Sequence, residues 1–234
     1  MIYITGDTHG NFNHIAEFAD KMQTTLDDVM IVLGDAGLNY FVHNGHDDKR
    51  AKKLKKFVSE IPLTFFCIHG NHEERPYNVS GYELQEQFGA SAYVNPKYPN
   101  QIFAKDGEFY DFNGYKTLVI GGAYSVDKYY RLSRGSAWFE SEQPNDDIKS
   151  YVEKQLDNVG WKVDTVLSHT CPISTEPLHL FLPFIDQSTV DKSTEEWLQT
   201  IADKLDFNKW YFGHFHSDWV NDKYEMLYNS IKEF

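Results

Sequence analysis

Short uninterrupted apolar runs alternate along the chain with longer stretches in which apolar residues return every three or four positions. Runs without polar interruption fit strands covered on both faces, and the helical spacing fits helices that lay one side on a sheet. The runs predict strands over residues 2–5, 29–33 and 63–68, then over 116–120, 165–167 and 210–212. Between them the periodicity predicts helices over 11–22, with Phe12, Ile15, Phe18 and Ala19 on one face, and over 47–59, with Leu54, Phe57 and Val58 turned inward. Further helices are expected over 145–158 and 193–205. Asn11 is a capping residue type, and Ser193 with Glu196 has capping-box spacing.

Alternating strands and helices predict a layered α/β architecture. The segment 77–111 is rich in Tyr, Asn, Pro and Gly and reads as loop plus hairpin, with extended runs at 101–105 and 108–112. No repeat, low-complexity tract or flexible linker divides the chain, so one domain over residues 1–234 is expected. The flank Lys52, Lys53, Lys55 and Lys56 reads as a solvated helix surface.

Composition narrows the function classes. An aromatic fraction of 16% excludes a disordered chain. The net charge of -13 excludes a broad nucleic-acid surface, because phosphate backbones need clustered Lys and Arg. Cys67 and Cys171 have no second pair to complete a disulfide scaffold or zinc knuckle, and both are expected to pack as small apolar residues. No stretch approaches the roughly 20 apolar residues of a membrane span. With no basic leader ahead of the first strand, a cytoplasmic location is expected.

Five of the predicted strands end in potential metal ligands: Gly6-Asp7-Thr8-His9, Gly34-Asp35, His69-Gly70-Asn71-His72-Glu73, Ser168-His169 and Gly213-His214-Phe215-His216. Strand carboxyl ends are where α/β sheets gather their ligands, so a common site accounts for all five at once. The donor types suit adjacent divalent cations. A carboxylate can give one oxygen to each of two metals about 3.5 to 4 Å apart, while imidazoles and an amide complete the shells without added charge. Asp35 is the bridging candidate. Nitrogen and oxygen donors without thiolates favour two divalent transition metal ions, Mn, Fe or Zn, with Mn first.

Taken in order, these motifs resemble the calcineurin-like metallophosphoesterases over residues 6–216. The resemblance implies a four-layer α-β-β-α metallophosphoesterase sandwich with two central mixed sheets. It gives Asp7, His9, Asp35 and His216 to one metal, and Asp35, Asn71, His169 and His214 to the other. His72 would lie beyond both metals, near the leaving-group oxygen. The implied activity is hydrolysis of a phosphate ester by a hydroxide shared between the cations, with an imidazolium at His72 meeting the departing alkoxide. Phosphomonoesters are favoured as substrates, small-molecule or phosphoprotein. Nucleotides and dinucleoside polyphosphates come next; a nuclease or a binding scaffold without catalysis is less favoured.

One departure concerns the second motif. Phosphoprotein phosphatases of this superfamily carry an Asp-Arg-Gly shortly after the Gly-Asp, where this chain has Ala36-Gly37-Leu38-Asn39. The aspartate that would orient His72 is missing from its usual place, and Glu73 or another carboxylate is the candidate substitute. Arg131, Arg134 and Arg75 are substrate-binding candidates, since a guanidinium fork matches phosphate oxygens. Tyr124, Tyr129, Tyr130 and Trp138 are expected to pack. His14, His43, His46 and His179 are expected at the surface, and His69 is a candidate for the outer shell of the site.

Overall fold

Successive residues of a strand face opposite ways, and this chain buries both directions. The computed structural model describes residues 1–234. Ile2 and Ile4 join Val29, Ile31 and Leu33 in a cluster that also holds Tyr110, Phe112, Val119 and Leu167. Tyr3, Met30 and Val32, the residues between them, pack the other way against Phe12, Ile15, Ala19 and Val58. A third cluster sets Leu118, Ile120, Val166, Trp210 and Phe212 against Val152, Leu156, Trp197 and Ile201. Three cores imply four layers, which explains why the strands read as continuous apolar runs rather than alternating ones.

The five helices are α1 (Asn13–Met22), α2 (Lys49–Ser59), α3 (Lys128–Arg134), α4 (Asp146–Asn158) and α5 (Ser193–Ala202). α1 and α2 cover the first sheet, and α4 and α5 cover the second. The first sheet has seven strands in the order Lys232–Glu233, Ile2–Thr5, Val29–Val32, Thr64–Cys67, Gln101–Ala104, Ala90–Val94, Glu83–Gln87. Its strands from Ile2–Thr5 to Gln101–Ala104 run parallel. The second has six, in the order Trp219–Asn221, Tyr224–Met226, Lys209–Phe212, Thr165–Ser168, Tyr115–Ile120, Phe109–Phe112. There the strands from Tyr224–Met226 to Tyr115–Ile120 are parallel. Parallel strands end along one edge of each sheet, and those edges carry the motifs.

The expected α/β layering is present, with local departures. The edge hairpin Glu83–Gln87 with Ala90–Val94 lies inside the segment read as loop. It turns through Phe88 and Gly89, both at positive φ. Leu84 on its outer strand is exposed, so no apolar alternation marks it in the sequence. Ser193 is the first residue of α5 and not its cap; the cap position is Lys192, without a side-chain cap bond, and Asp191 Oδ1 accepts the Ser193 amide at 2.9 Å. Phe57, expected inside, is exposed. Both cysteines are buried and free. No helix is long and apolar enough to cross a membrane.

Lys55 overturns the reading of its flank as solvated. Its side chain has no exposure, and Nζ donates to both oxygens of Asp47 at 2.7 and 2.9 Å. It also sits 5.1 Å from the Tyr82 ring centre. Burial pulls the ammonium below the ordinary lysine value, and the bonds to Asp47 oppose that pull. Removing one member of a buried pair leaves the other uncompensated. Lys55→Ala should therefore lose about 3–5 kcal/mol of stability in urea unfolding, whereas Lys52→Ala, on the exposed side of α2, should change it by less than about 0.5 kcal/mol.

Candidate metal centre

Each chemical group here lies within five residues of the end of a buried strand. Ile2–Thr5 leads to Asp7 and His9, Val29–Val32 to Asp35, and Thr64–Cys67 to Asn71 and His72. From the facing sheet, Thr165–Ser168 leads to His169 and Lys209–Phe212 to His214 and His216. The structure brings all seven candidate ligands into one cluster. Its contents sort around Asp35.

On one side, His216 Nε2 lies 3.3 Å from Asp7 Oδ2. His9 Nε2 lies 3.9 Å from Asp7 Oδ2, 3.9 Å from Asp35 Oδ2 and 2.9 Å from His216 Nε2. On the other side, His169 Nε2 is 3.6 Å from the same Asp35 oxygen and 2.8 Å from Asn71 Oδ1. His214 Nδ1 reaches Asn71 Oδ1 at 3.1 Å. The donor atoms of Asp7, His9 and His216, and those of Asp7, Asp35 and His169, converge within 4.8 Å of one another.

A further ring of contacts aims these atoms. The Leu33 carbonyl lies 2.8 Å from His169 Nδ1, which assigns the proton to that nitrogen and leaves Nε2 free as a donor. Asn71 Nδ2 donates to Ser125 Oγ at 2.8 Å, turning Oδ1 toward the histidines. The His72 amide donates to Asp35 Oδ1 at 2.7 Å, leaving Oδ2 to face the imidazoles. The His214 amide donates to Asp7. Ser125 was not singled out in the sequence; its signal was the Gly121-Gly122 exit from the strand Tyr115–Ile120.

The backbone is bent to make this possible. His9, Asp35, His214 and His216 all adopt positive φ, a left-handed conformation that costs a side-chain-bearing residue roughly 1–2 kcal/mol each. Two glycines allow the close packing: a Cβ on Gly34 would enter the His169 ring, and one on Gly70 would strike the Asp35 carboxylate.

Electrostatics show what the cluster lacks. Asp7 and Asp35 are almost wholly buried, and their only basic partners are imidazoles. Burial opposes ionisation of Asp35, yet His169, His72 and His9 together hold it well below the usual carboxylate range. Burial likewise disfavours charge on His169, but Asp35 lifts it to about 9. His214, with burial foremost and His169 adding to it, is driven well below its ordinary value. Two buried carboxylates ringed by imidazoles and an amide oxygen call for positive charge at their centre, and this hard and borderline donor set fits divalent cations.

His72 lies at the edge of the cluster. One of its ring nitrogens falls within 4.8 Å of donor atoms of His9 and Asp35, and its ring meets that of His9 edge-on at 5.0 Å. Burial lowers its pKa; Arg131 and His9 lower it further, against Asp35 and Asp127. Glu73 does not orient it. Glu73 is buried beneath the turn after Asp35, where Oε1 accepts the Ala36 amide at 3.1 Å. Burial, with the nearby Asp35 charge, pushes Glu73 up to about 8. Outside the ligand set, the charge of Asp127, just before α3, favours the protonated form of His72.

The arginines divide. Arg131, on α3, is buried beside the centre; Nη1 reaches Ser125 Oγ only at 3.5 Å and Asp127 at 3.9 Å, and Nη2 has no partner. Arg134 is exposed, over the Tyr130 ring at 5.5 Å. Arg75 is tied elsewhere, to Asp106 and to the Ser141 carbonyl, beside a separate cavity of about 180 Å³ that His69 also lines. His69 is buried and contacts none of the ligands by hydrogen bond. Tyr124 packs as expected, but Tyr129 and Tyr130 stand exposed on α3. His43, His46 and His179 are exposed; His14 is half-buried.

The sequence model of the calcineurin-like phosphoesterases matches residues 1–218. The chain belongs to that family. Its fold is that of the metallophosphoesterases, two mixed sheets between helices. The Thermus thermophilus protein TT1561 superposes on this phosphoesterase with a TM-score of 0.52 at 12% identity, covering 97% of this chain and 87% of its own. A second solved structure superposes with a TM-score of 0.48 at 13% identity, covering 97% and 88%. No curated protein matches the sequence significantly. Family membership makes this a metal-dependent phosphoester hydrolase in general terms.

The buried carboxylates yield a direct expectation for this phosphoesterase. Titration calorimetry of the apo-protein with Mn should show binding that Asp35→Asn weakens by at least about tenfold, because one unit of ligand charge is lost at the centre. Binding unchanged in Asp35→Asn would remove that carboxylate from the ligand set.

Proposed function

We propose that the chain binds two divalent transition metal ions, Mn favoured, and hydrolyses phosphomonoesters by direct attack of water. Asp7, His9, Asp35 and His216 would hold one ion and Asp35, Asn71, His169 and His214 the other. The observation that carries this reading is the position of Asp35, one of whose oxygens lies within 4 Å of His9 on one side and His169 on the other. When bound, such a pair of cations supplies an activated water and neutralises phosphate oxygens.

The chain's own residues do the rest. Arg131 presents an unpaired Nη2 beside the centre, and a buried guanidinium without a full set of acceptors is a receptor for an anion. The terminal oxygens of a monoester offer that fork two acceptors, whereas a diester has fewer free oxygens, which favours monoesters. His72, kept neutral by burial and by Arg131, suits a hydrogen-bond donor to the leaving-group oxygen better than an imidazolium acid. Asp127 opposes Arg131 at that ring and would steady the imidazole as charge develops. Nucleotides remain the second class, because Tyr129 and Tyr130 expose aromatic faces on α3 next to Arg131.

A panel of p-nitrophenyl phosphate, bis-p-nitrophenyl phosphate, dinucleotides, phosphopeptides and single-stranded DNA, assayed with Mn, tests the reading. Hydrolysis of the monoester in preference to the diester is expected, with Asp35→Asn inactive on all; an inactive wild-type protein on all substrates would refute it. Arg131→Ala should raise KM for monoesters at least about tenfold, more than for diesters, with Arg131→Lys restoring little. His72→Ala should slow alkyl phosphates more than nitrophenyl esters, since only a poor leaving group needs its oxygen stabilised; equal losses would mean that His72 positions rather than assists.

A further inference from the structure

The metal cluster opens into a cavity of about 410 Å³, a volume that suits a small organic molecule. Asp35, Asn71, His72, His214 and His216 form one end. A further wall comes from residues 176–192, in the stretch between the strand Thr165–Ser168 and α5, and from Glu195 in the first turn of α5, and it differs in chemistry from the metal end. Leu180, Phe181, Ile185 and Val190 line it, and Phe181 stacks on Phe215 with ring centres 6.1 Å apart and planes 14° from parallel. A flat, open cleft for a folded protein surface would not need such a wall.

Three carboxylates and one ammonium also line the cavity: Glu176, Asp191, Glu195 and Lys192. Most of these groups are satisfied. Glu176 Oε2 accepts from Lys192 Nζ at 2.8 Å, while Asp191 accepts from the Ser193 amide and from Gln143. Glu195 is different. It is 5% exposed, Oε1 accepts from Thr170 Oγ1 at 2.8 Å, and Oε2, equally shut off, has no partner at all. A buried carboxylate oxygen without a donor is costly: burial pushes Glu195 up to about 7, and an ammonium at Oε2 would supply the missing donor and favour the ionised form.

The cavity thus combines three chemistries: a ligand centre, with Arg131 beside it, that attracts phosphate, acids that attract positive charge, and apolar side chains. We propose that the site selects a small phosphomonoester with an apolar body and a terminal ammonium group, the body lying along Phe181 and Phe215 and the ammonium on Glu195 Oε2. This deepens the phosphoesterase reading and rests on it. It makes Glu195 a specificity-determining residue outside the ligand set.

Two esters of nearly equal shape and leaving group separate the terminal charge from everything else: 4-(2-aminoethyl)phenyl phosphate and 4-ethylphenyl phosphate, each assayed at pH 7 with Mn. The wild-type kcat/KM should favour the amine by at least about tenfold, the yield of one charge-assisted hydrogen bond in a closed site. Glu195→Gln keeps an oxygen for Thr170 but loses the charge, and should bring the ratio of the two esters to within about twofold of one. A wild-type ratio near one, or a ratio that Glu195→Gln leaves intact, overturns the proposal while hydrolysis of both esters sustains the phosphoesterase reading; no hydrolysis of either overturns both. The wild-type ratio decides without the variant if Glu195→Gln fails to fold, which a circular dichroism melt reports.

Discussion

Two carboxylates, Asp7 and Asp35, are held out of water with no lysine or arginine against them. Charge in such surroundings is expensive unless something positive lies close by, and the protein answers with imidazoles from both sheets. Asp35 is the centre of that arrangement. Its neighbours pull its carboxyl down and it pushes His169 up, so each group's charge depends on the others. Much of the local architecture follows from keeping these groups together and leaving room for cations among them.

The fold supports the cluster by meeting its geometric demands at the strand ends. Parallel strands in two facing sheets deliver their last residues to a common edge, and the turns that follow are tight. Four ligand residues take left-handed backbone, and Gly34 and Gly70 leave space that any side chain would fill. Strain of this kind persists only where surrounding structure holds it, here the three apolar cores between four layers. Stability made in the cores is thereby spent at the centre, where the chemistry requires it.

Beyond the ligands, the cavity carries charge of both signs. Arg131 stands near His72, and the acids Glu176, Asp191 and Glu195 line the cavity, in a chain whose net charge is -13. The acidic balance that argues against a long anionic polymer is compatible with one small anion drawn to local positive charge. A phosphate group with its own cationic tail meets both fields at once.

Much of this was legible in the order of residues. Uninterrupted apolar runs predicted the parallel strands, and the polar residues that ended them predicted the ligands, because burial on both faces and exposure at a strand end leave separate marks on a sequence. The edge hairpin Glu83–Gln87 with Ala90–Val94 left no such mark: one outer face is solvated, and its alternation is polar. Lys55 looked like its neighbours on α2, since sequence spacing does not say which lysine faces a carboxylate eight residues earlier in the chain. Glu73, adjacent to His72 in sequence, points into the turn after Asp35, while Asp127, far away in the chain, acts on that histidine. Residue types and their order determined the chemistry available and the strand ends that carry it. Which side chain meets which, Arg131 free and Arg75 tied, Glu195 left without a donor, was decided only by packing in three dimensions, because contacts between distant segments depend on how the layers close.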